Sequence, residues 1–394
     1  MPSFEFKTIK HIVSEPGALS RLPELCAKLG MVRPIIVSDQ GIVACGLLEQ
    51  LNAALSDNFL EVGYFLEVVA DPPEAIVLEA IALARTHDAD GVIGFGGGSS
   101  MDTAKLVSAA LLSGQTLQSM YGIDQLPSQR LPLILVPTTA GTGSEATPIS
   151  IVTTGQTTKA GIVSETLLPD IALLDANLTL GLPANVTAAT GIDAMVHAIE
   201  AYTSARKKNE YSDMLARQAL RLLSKNICTA TFSGEDVAAR QNMLLGACLA
   251  GQAFANAPVA AVHALAYPLG GHFHIPHGLS NALVLPHVMR FNMSVCGHLY
   301  AELIDVIEFD NTNEMKSFET HAAVEHLITN IEQLIKKLGL PTGLDELDIA
   351  FTDLDMLTDD AMLQERLLVN NPRKVRRDDA LAIYQNAYKG RVNA

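Results

Sequence analysis

The chain has 394 residues, room for two or three domains at roughly 100–200 residues each, which excludes a peptide hormone or a disulfide-stapled miniprotein. Hydrophobic residues make up 48% and charged residues 18%, a balance that favours buried cores over disorder. With 27 Lys+Arg against 43 Asp+Glu, a net charge of −16 and no basic cluster, neither nucleic acid nor an anionic membrane surface is expected as a partner.

From about residue 31 to 175, short β-branched apolar runs alternate with helix-period segments, the pattern of parallel strands joined by crossover helices. Strands are predicted at Pro34–Ser38, Tyr64–Val69, Gly91–Phe95, Pro132–Val136 and Ile171–Leu174, with helices such as Glu74–Thr86 and Met101–Ser113 between them. After Pro183 the strand signal stops, and Ala, Leu, Met and His recur at helical spacing. The expected fold class is therefore an α/β N-terminal dinucleotide-binding domain over residues 1–182, doubly wound on a mostly parallel sheet. An all-α C-terminal metal-binding domain over residues 183–394 follows, the two sharing a cleft. The five cysteines are scattered without a CxxC pair and read as reduced thiols. The N-terminal stretch carries charges where a secretory signal needs an apolar run, so a cytoplasmic location is expected.

The segment Gly94-Phe95-Gly96-Gly97-Gly98-Ser99-Ser100-Met101-Asp102-Thr103-Ala104-Lys105 follows an apolar strand and opens a helix. Glycines let backbone N–H groups approach an anion, and the new helix presents free amides and its positive dipole end, so phosphate is the natural ligand. The run lacks the GK[ST] of a Walker A loop and carries Ser99 where GxGxxG has its last glycine. Far upstream of this turn, Asp39 sits at the end of the strand Pro34–Ser38, at the carboxyl edge where a carboxylate can hold ribose hydroxyls and repel a 2′-phosphate; this favours NAD over NADP. The same aspartate suits a helix N-cap. A second loop, Pro137-Thr138-Thr139-Ala140-Gly141-Thr142-Gly143-Ser144-Glu145, runs from a strand into hydroxyls and small residues fit to line the cofactor.

Asp193 and His197 are four apart and leave one face of a helix. Six of the eleven histidines fall between His263 and His298. His263 lies in an Ala-rich helical stretch and His277 follows Pro276 at the start of another helix, so both helices can converge on an ion held by Asp193 and His197. One carboxylate with three imidazoles suits Fe(II) or Zn(II) better than calcium or magnesium. His287 and His298 read as core residues, and His272 and His274 stay open between the two roles. A dinucleotide site and a metal site together imply hydride transfer between a nicotinamide and an alcohol or aldehyde oxygen-bearing carbon.

The motifs GGGSSMDTAK (96–105), PTTAGTGSE (137–145), GIDAMVHAIEAYTS (191–204) and the run from His263 to the PHG closing on His277 resemble the iron-containing (group III) alcohol dehydrogenases, in the family's order across essentially the whole chain. That resemblance implies metal ligation by Asp193, His197, His263 and His277. It implies dinucleotide contacts by Gly96, Gly97, Gly98, Ser99, Asp102, Thr138, Thr139 and Thr142, Asp39 on the adenosine ribose and Lys159 as a further cofactor contact. It also implies Fe(II), with zinc in some members, a small alcohol or aldehyde substrate, and a homodimer in which N-terminal strands pair, with Phe4–Val13 as the candidate edge strand here. Many members carry a further histidine four residues after the third ligand. Tyr267 stands there in this chain and could relay the proton, with His272 or His274 as the other candidates. The competing expectation is a non-redox metalloenzyme on the same scaffold, a lyase resembling 3-dehydroquinate synthase.

Overall fold

The computed structural model describes residues 3–56, 60–155, 158–307 and 319–389. They form two compact units: Lys7–Gly181 with Glu235–Cys248, and Met1–Phe6 with Leu182–Gly234 and Leu249–Ala394. A single cut at 182/183 follows the loss of strand signal but misses two segments. The first part of the Val237–Asn256 helix groups with the sheet unit, because Leu244 and Cys248 share a buried cluster with Ile9, Ala146, Ala172 and Leu174. Gln241 ties the same turn down, accepting from the Ala176 N–H at 2.9 Å and donating to the Leu174 carbonyl at 3.0 Å.

The sheet unit holds β1 (His11–Ser14), β2 (Pro34–Asp39), β3 (Gly63–Val68), β4 (Gly91–Gly96), β5 (Gly122–Ile123), β6 (Leu133–Pro137), β7 (Ile149–Thr154), β8 (Thr158–Val163) and β9 (Ile171–Leu174). Six of these form an all-parallel sheet in the order β1-β9-β6-β4-β2-β3. Alternation along the strands explains why both faces are covered. Ile35, Val37, Val92, Leu133 and Leu135 enter one buried cluster with Val77, Ile81 and Met101 of the Glu74–Thr86 and Gly98–Ser113 helices. Their neighbours Ile36, Ile93, Phe95, Ile134 and Val136 enter another with Leu22, Leu25 and Leu51. Apolar residues on both faces are the mark of a doubly wound parallel sheet.

Strand succession reverses between β2 and β4, which is where open α/β sheets bind ligands beyond the carboxyl ends of their strands. Asp39 and the glycine turn stand at those two ends. A second sheet of β5, β8 and β7, with an antiparallel β7–β8 hairpin, was not anticipated from the sequence. The candidate edge strand also changes character: only His11–Ser14 is a strand, and it pairs in parallel with β9 of its own sheet. Phe4 and Phe6 instead place their rings 5.8 and 5.3 Å from that of Tyr211.

Asp170 ties the rim of this sheet together. Its carboxylate accepts from Arg130 Nη1 at 2.6 Å, Lys10 Nζ at 2.8 Å and the Leu133 N–H at 3.0 Å. Burial alone would raise this carboxyl, but the Arg130 and Lys10 hydrogen bonds outweigh it and hold the group below its ordinary range. A depressed folded pKa means stability present above the unfolded pKa and lost as pH falls through the folded one. Asp170→Asn is therefore expected to cost on the order of 3 kcal/mol near neutral pH, because Arg130 keeps its buried charge without its partner. In urea denaturation the gap from wild type should hold from pH 8 to about 5 and narrow below about 4. An equally wide gap at pH 3 would contradict this role.

The other unit is helical, and no strand occurs after β9 among the described residues. Its centre is Ala184–Thr203, buried on nearly every side from Thr187 onward. Glu210–Phe232 and His277–Leu303 pack on it; Ala261–Phe273, Thr320–Lys337 and Arg377–Tyr388 pack on His277–Leu303, and Leu354–Met362 packs on Ala261–Phe273 and Arg377–Tyr388. No single helix among the described residues is long and apolar enough to cross a membrane.

Candidate metal centre and dinucleotide-binding turn

A helix buried all round should be apolar all round, and any polar side chain on it must find a partner inside the protein. Ala184–Thr203 breaks that expectation along one stripe, where Asp193, His197 and Glu200 follow at spacings of four and three and are each buried to 4% exposure or less. This stripe meets His263, third residue of Ala261–Phe273, and His277, first residue of His277–Leu303. One donor atom from each of Asp193, His197, His263 and His277 lies within 4.8 Å of all the others. Asp193 Oδ1 stands 3.9 Å from His197 Nε2 and 3.8 Å from His277 Nε2. Donors sharing one ion at about 2.1 Å stand no more than about 4.2 Å apart, so these pairs are already in range. The four residues that the sequence singled out are thus brought together.

The donor set fits a cation. Burial alone would raise the Asp193 carboxyl, but the three imidazoles and Asn281 outweigh it and hold it below its ordinary range. Asn281 Nδ2 donates to Asp193 Oδ1 at 2.6 Å and stands 3.4 Å from His263 Nε2 and 3.3 Å from His277 Nε2. A single N–H donor group therefore faces converging acceptors, while the other end of that amide, Oδ1, is buried without a hydrogen-bond partner. An acceptor-rich pocket of this kind is completed by a positive guest.

Gly278 lets the two helices approach. A Cβ there would stand 2.4 Å from the Ala189 carbonyl oxygen, so only glycine lets His277 come close to Asp193. On the other side, the Phe254 ring stacks on His197 with centroids 4.4 Å apart. Tyr267 places its ring 5.8 Å from that of His277, beside the ligand cluster. His274 is exposed at the C-terminal cap of its helix with φ +55°. His272 pairs with Asp360 at 3.0 Å.

The glycine turn is built in the sheet unit. The helix begins at Gly98, three residues earlier than the predicted Met101, so Gly98 and Ser99 belong to its first turn. Gly97 is the N-cap, which leaves the turn without a side-chain cap or an acidic residue and its N–H groups open to an anion. At Gly96 the backbone takes φ +150°, and a Cβ would meet Ser100 at 2.9 Å and Asp39 Oδ2 at 3.1 Å. A Cβ at Gly98 would meet Thr142 at 2.9 Å, and one at Gly97 would reach Thr139 at 3.8 Å. Thr138 is buried, its N–H donating to the Gly96 carbonyl at 3.0 Å. The threonine-bearing loop thus gathers around the glycine turn.

Asp39 performs the capping role, accepting from the Ile42 N–H at 3.2 Å, while its second oxygen accepts from Ser100 Oγ at 2.9 Å. Asp102 has turned inward. Its carboxylate accepts from Ser144 Oγ, from the Ile151 N–H at 2.9 Å and from the fully buried Lys105 Nζ at 3.4 Å, a brace between helix and loop. Lys159 on β8 pairs with Asp71 at 2.6 Å, and the Asp71 N–H reaches Ser99 Oγ at 3.3 Å, which puts the lysine one residue removed from the turn.

Sequence reasoning missed Glu200, Asn281, Ser100 and Asp71. Glu200 and Asn281 had a findable signal, since each falls on a ligand's helical face, three residues after His197 and four after His277.

Comparison with known proteins agrees with this architecture. Residues 10–176 match the family described as iron-containing alcohol dehydrogenase, and residues 187–388 match the C-terminal part of the Fe-containing alcohol dehydrogenase family. Long-chain-alcohol dehydrogenase 1 of Geobacillus thermodenitrificans is 40% identical over 379 residues, covering 95% of this chain and 94% of that protein. The 1,3-propanediol dehydrogenase of Klebsiella pneumoniae is 35% identical, covering 95% and 96%. The crystal structure of a 1,3-propanediol oxidoreductase superposes with a TM-score of 0.93 at 34% identity, covering 98% of this chain and all of that one. A sulfoacetaldehyde reductase from Bifidobacterium kashiwanohense, solved in complex with NAD+, superposes with a TM-score of 0.87 at 27% identity, covering 98% and 99%. With both halves matched in order and the fold shared throughout, the chain belongs to the iron-containing alcohol dehydrogenases, a family of oxidoreductases.

Proposed function

We propose that this chain is a metal-dependent NAD(H)-linked alcohol dehydrogenase and aldehyde reductase working on a small alcohol or aldehyde. The observation that carries the proposal is the convergence of Asp193, His197, His263 and His277 within 4.8 Å. These four would hold Fe(II), with Zn(II) chemically acceptable to the same donors. The turn of Gly96, Gly97, Gly98 and Ser99 with Thr138, Thr139 and Thr142 would take the pyrophosphate side of the dinucleotide. Asp39 would face the adenosine ribose and disfavour a 2′-phosphate, which supports NAD over NADP. Lys159 would add positive charge near that turn. The ion, when bound, supplies Lewis-acid chemistry toward an alcohol or carbonyl oxygen, and the nicotinamide carries the hydride.

The relatives named above are alcohol or aldehyde oxidoreductases by name, which disfavours a non-redox lyase of the 3-dehydroquinate synthase kind. A homodimer belongs to this proposal too, supported by the family resemblance, as does a cytoplasmic location. The deciding experiment is metal analysis of protein purified without oxygen, joined to an alcohol and aldehyde panel with NAD and NADP, followed at the NADH absorbance. Stoichiometric iron or zinc with NAD-dependent absorbance change is expected. Full metal occupancy without redox turnover on any alcohol or aldehyde would overturn the dehydrogenase reading.

Tyr267 is assigned the proton, because its ring adjoins His277 while His274 sits exposed at a helix cap and His272 is held by Asp360. Tyr267→Phe is expected to lower turnover roughly 10²-fold, the usual scale of a general acid–base contribution, with metal content unchanged. Unchanged turnover across the pH range would reject the assignment.

A further inference from the structure

We propose that Glu200 is a positioning residue of the metal centre, whose carboxylate fixes His263 in the Nδ1–H tautomer and so turns the Nε2 lone pair toward the ion. The inference rests on the ligand assignment made above and extends it to a residue that touches no ion itself. Glu200 lies on Ala184–Thr203, on the stripe that supplies Asp193 and His197, with 4% of its surface exposed. Its Oε2 stands 2.7 Å from His263 Nδ1 and accepts from the Ala260 N–H at 3.0 Å, while Oε1 accepts from the Val262 N–H at 2.7 Å.

A carboxylate that already receives two backbone N–H groups is an acceptor only, so the proton of a neutral His263 must sit on Nδ1. The other ring nitrogen, Nε2, is then left bare, and it is the one that stands near Asn281 and the ligand cluster. The helix shows the same dependence. Ala260 occupies the N-cap of Ala261–Phe273 with no side chain to offer, and the first turn takes its acceptor from Glu200 instead. His263 is the third residue of that turn, so one carboxylate sets both where the helix starts and which way its ligand faces. Two ligands and the orienter of a third therefore come from one helix. Such outer partners of metal-binding histidines are worth about 10–100-fold in metal affinity.

The test uses full-length protein stripped of metal with a chelator and titrated with Zn(II) in competition with a chromogenic chelator. Wild type is compared with Glu200→Gln, Glu200→Ala and Asn370→Ala. The last removes the hydrogen bond from Asn370 Nδ2 to the Val259 carbonyl, 2.9 Å long, and loosens the same loop without touching His263. Glutamine has the size of glutamate but offers one oxygen and one NH2, so it cannot accept at both ends. Zn(II) binding is expected to weaken about 10–100-fold in Glu200→Gln and at least as much in Glu200→Ala, and to stay within about twofold in Asn370→Ala. Nitrogen-15 spectra of metal-free protein labelled at histidine should show the Nδ1–H form of His263 in wild type and lose it in Glu200→Gln. Equal Zn(II) affinity in wild type and Glu200→Gln would overturn the proposal. So would weakening that merely follows thermal stability across all three variants. Absence of Zn(II) binding by wild type itself would instead overturn the ligand assignment on which the proposal stands.

Discussion

His277→Ala is expected to strip the protein of bound metal and to slow alcohol oxidation by about 10³-fold or more, equivalent to losing roughly 4 kcal/mol of transition-state stabilisation, while the fold and NAD binding survive. The reason is the position of the residue. His277 is the first residue of its helix and its side chain is 32% exposed, so truncation opens no sealed cavity and breaks no interior helix turn. What it removes is a donor 3.8 Å from Asp193 Oδ1. Circular dichroism, metal analysis and calorimetric titration with NAD should show an intact fold, little metal and wild-type dinucleotide affinity. Retention of stoichiometric metal with wild-type turnover would sink the four-ligand centre.

Gly278→Ala should do damage of a different kind, one residue away. A Cβ at this position would lie 2.4 Å from the Ala189 carbonyl oxygen, 2.8 Å from its carbon and 3.3 Å from Asp193 Cβ. Two of those atoms are main chain in the middle of a helix and cannot yield alone, so the start of His277–Leu303 must back away from Ala184–Thr203. Overpacking of this sort costs typically 1–3 kcal/mol, a fall of about 2–4 °C in melting temperature per kcal/mol for a domain of this size. Because the retreating residue neighbours His277, metal affinity should also fall, by more than about 10-fold. The two variants are told apart without metal: stripped His277→Ala should melt close to wild type, and stripped Gly278→Ala well below it. A Gly278→Ala protein with wild-type melting and metal affinity would show that the close approach of these helices is not needed.

Local chemistry made the strands of the main sheet and the converging Asp and His residues legible. Strands buried on both faces carry continuous apolar runs, so β2, β4, β6 and β9 were found to within a residue or so, and the edge strand β3, buried only at Phe65 and Val68, was found as closely from its aromatic and β-branched residues. Asp193 and His197 stood out because a four-residue spacing on a helix admits few readings. The hairpin of β7 and β8 was illegible for the opposite reason. It reads as hydroxyls and glycine with little alternation, and its strands exist because they pair with each other. Residues 235–248 escaped because the Val237–Asn256 helix is apolar or small around much of its circumference, and no stripe says which cluster it will join.

From the chain of residues alone came the doubly wound half, the glycine turn that opens a helix, the helical half and the four residues whose donor atoms converge, because each is written in short-range spacing. Folding decided the rest. It turned Asp102 inward onto Lys105 and Ser144, engaged Asp39 with Ser100, and set Glu200 behind His263 and Asn281 among the imidazoles. Several of these contacts join residues about 40 to 90 positions apart, and hydrogen bonds of that kind depend on which helices and strands come to lie together, a matter of packing that no local periodicity encodes.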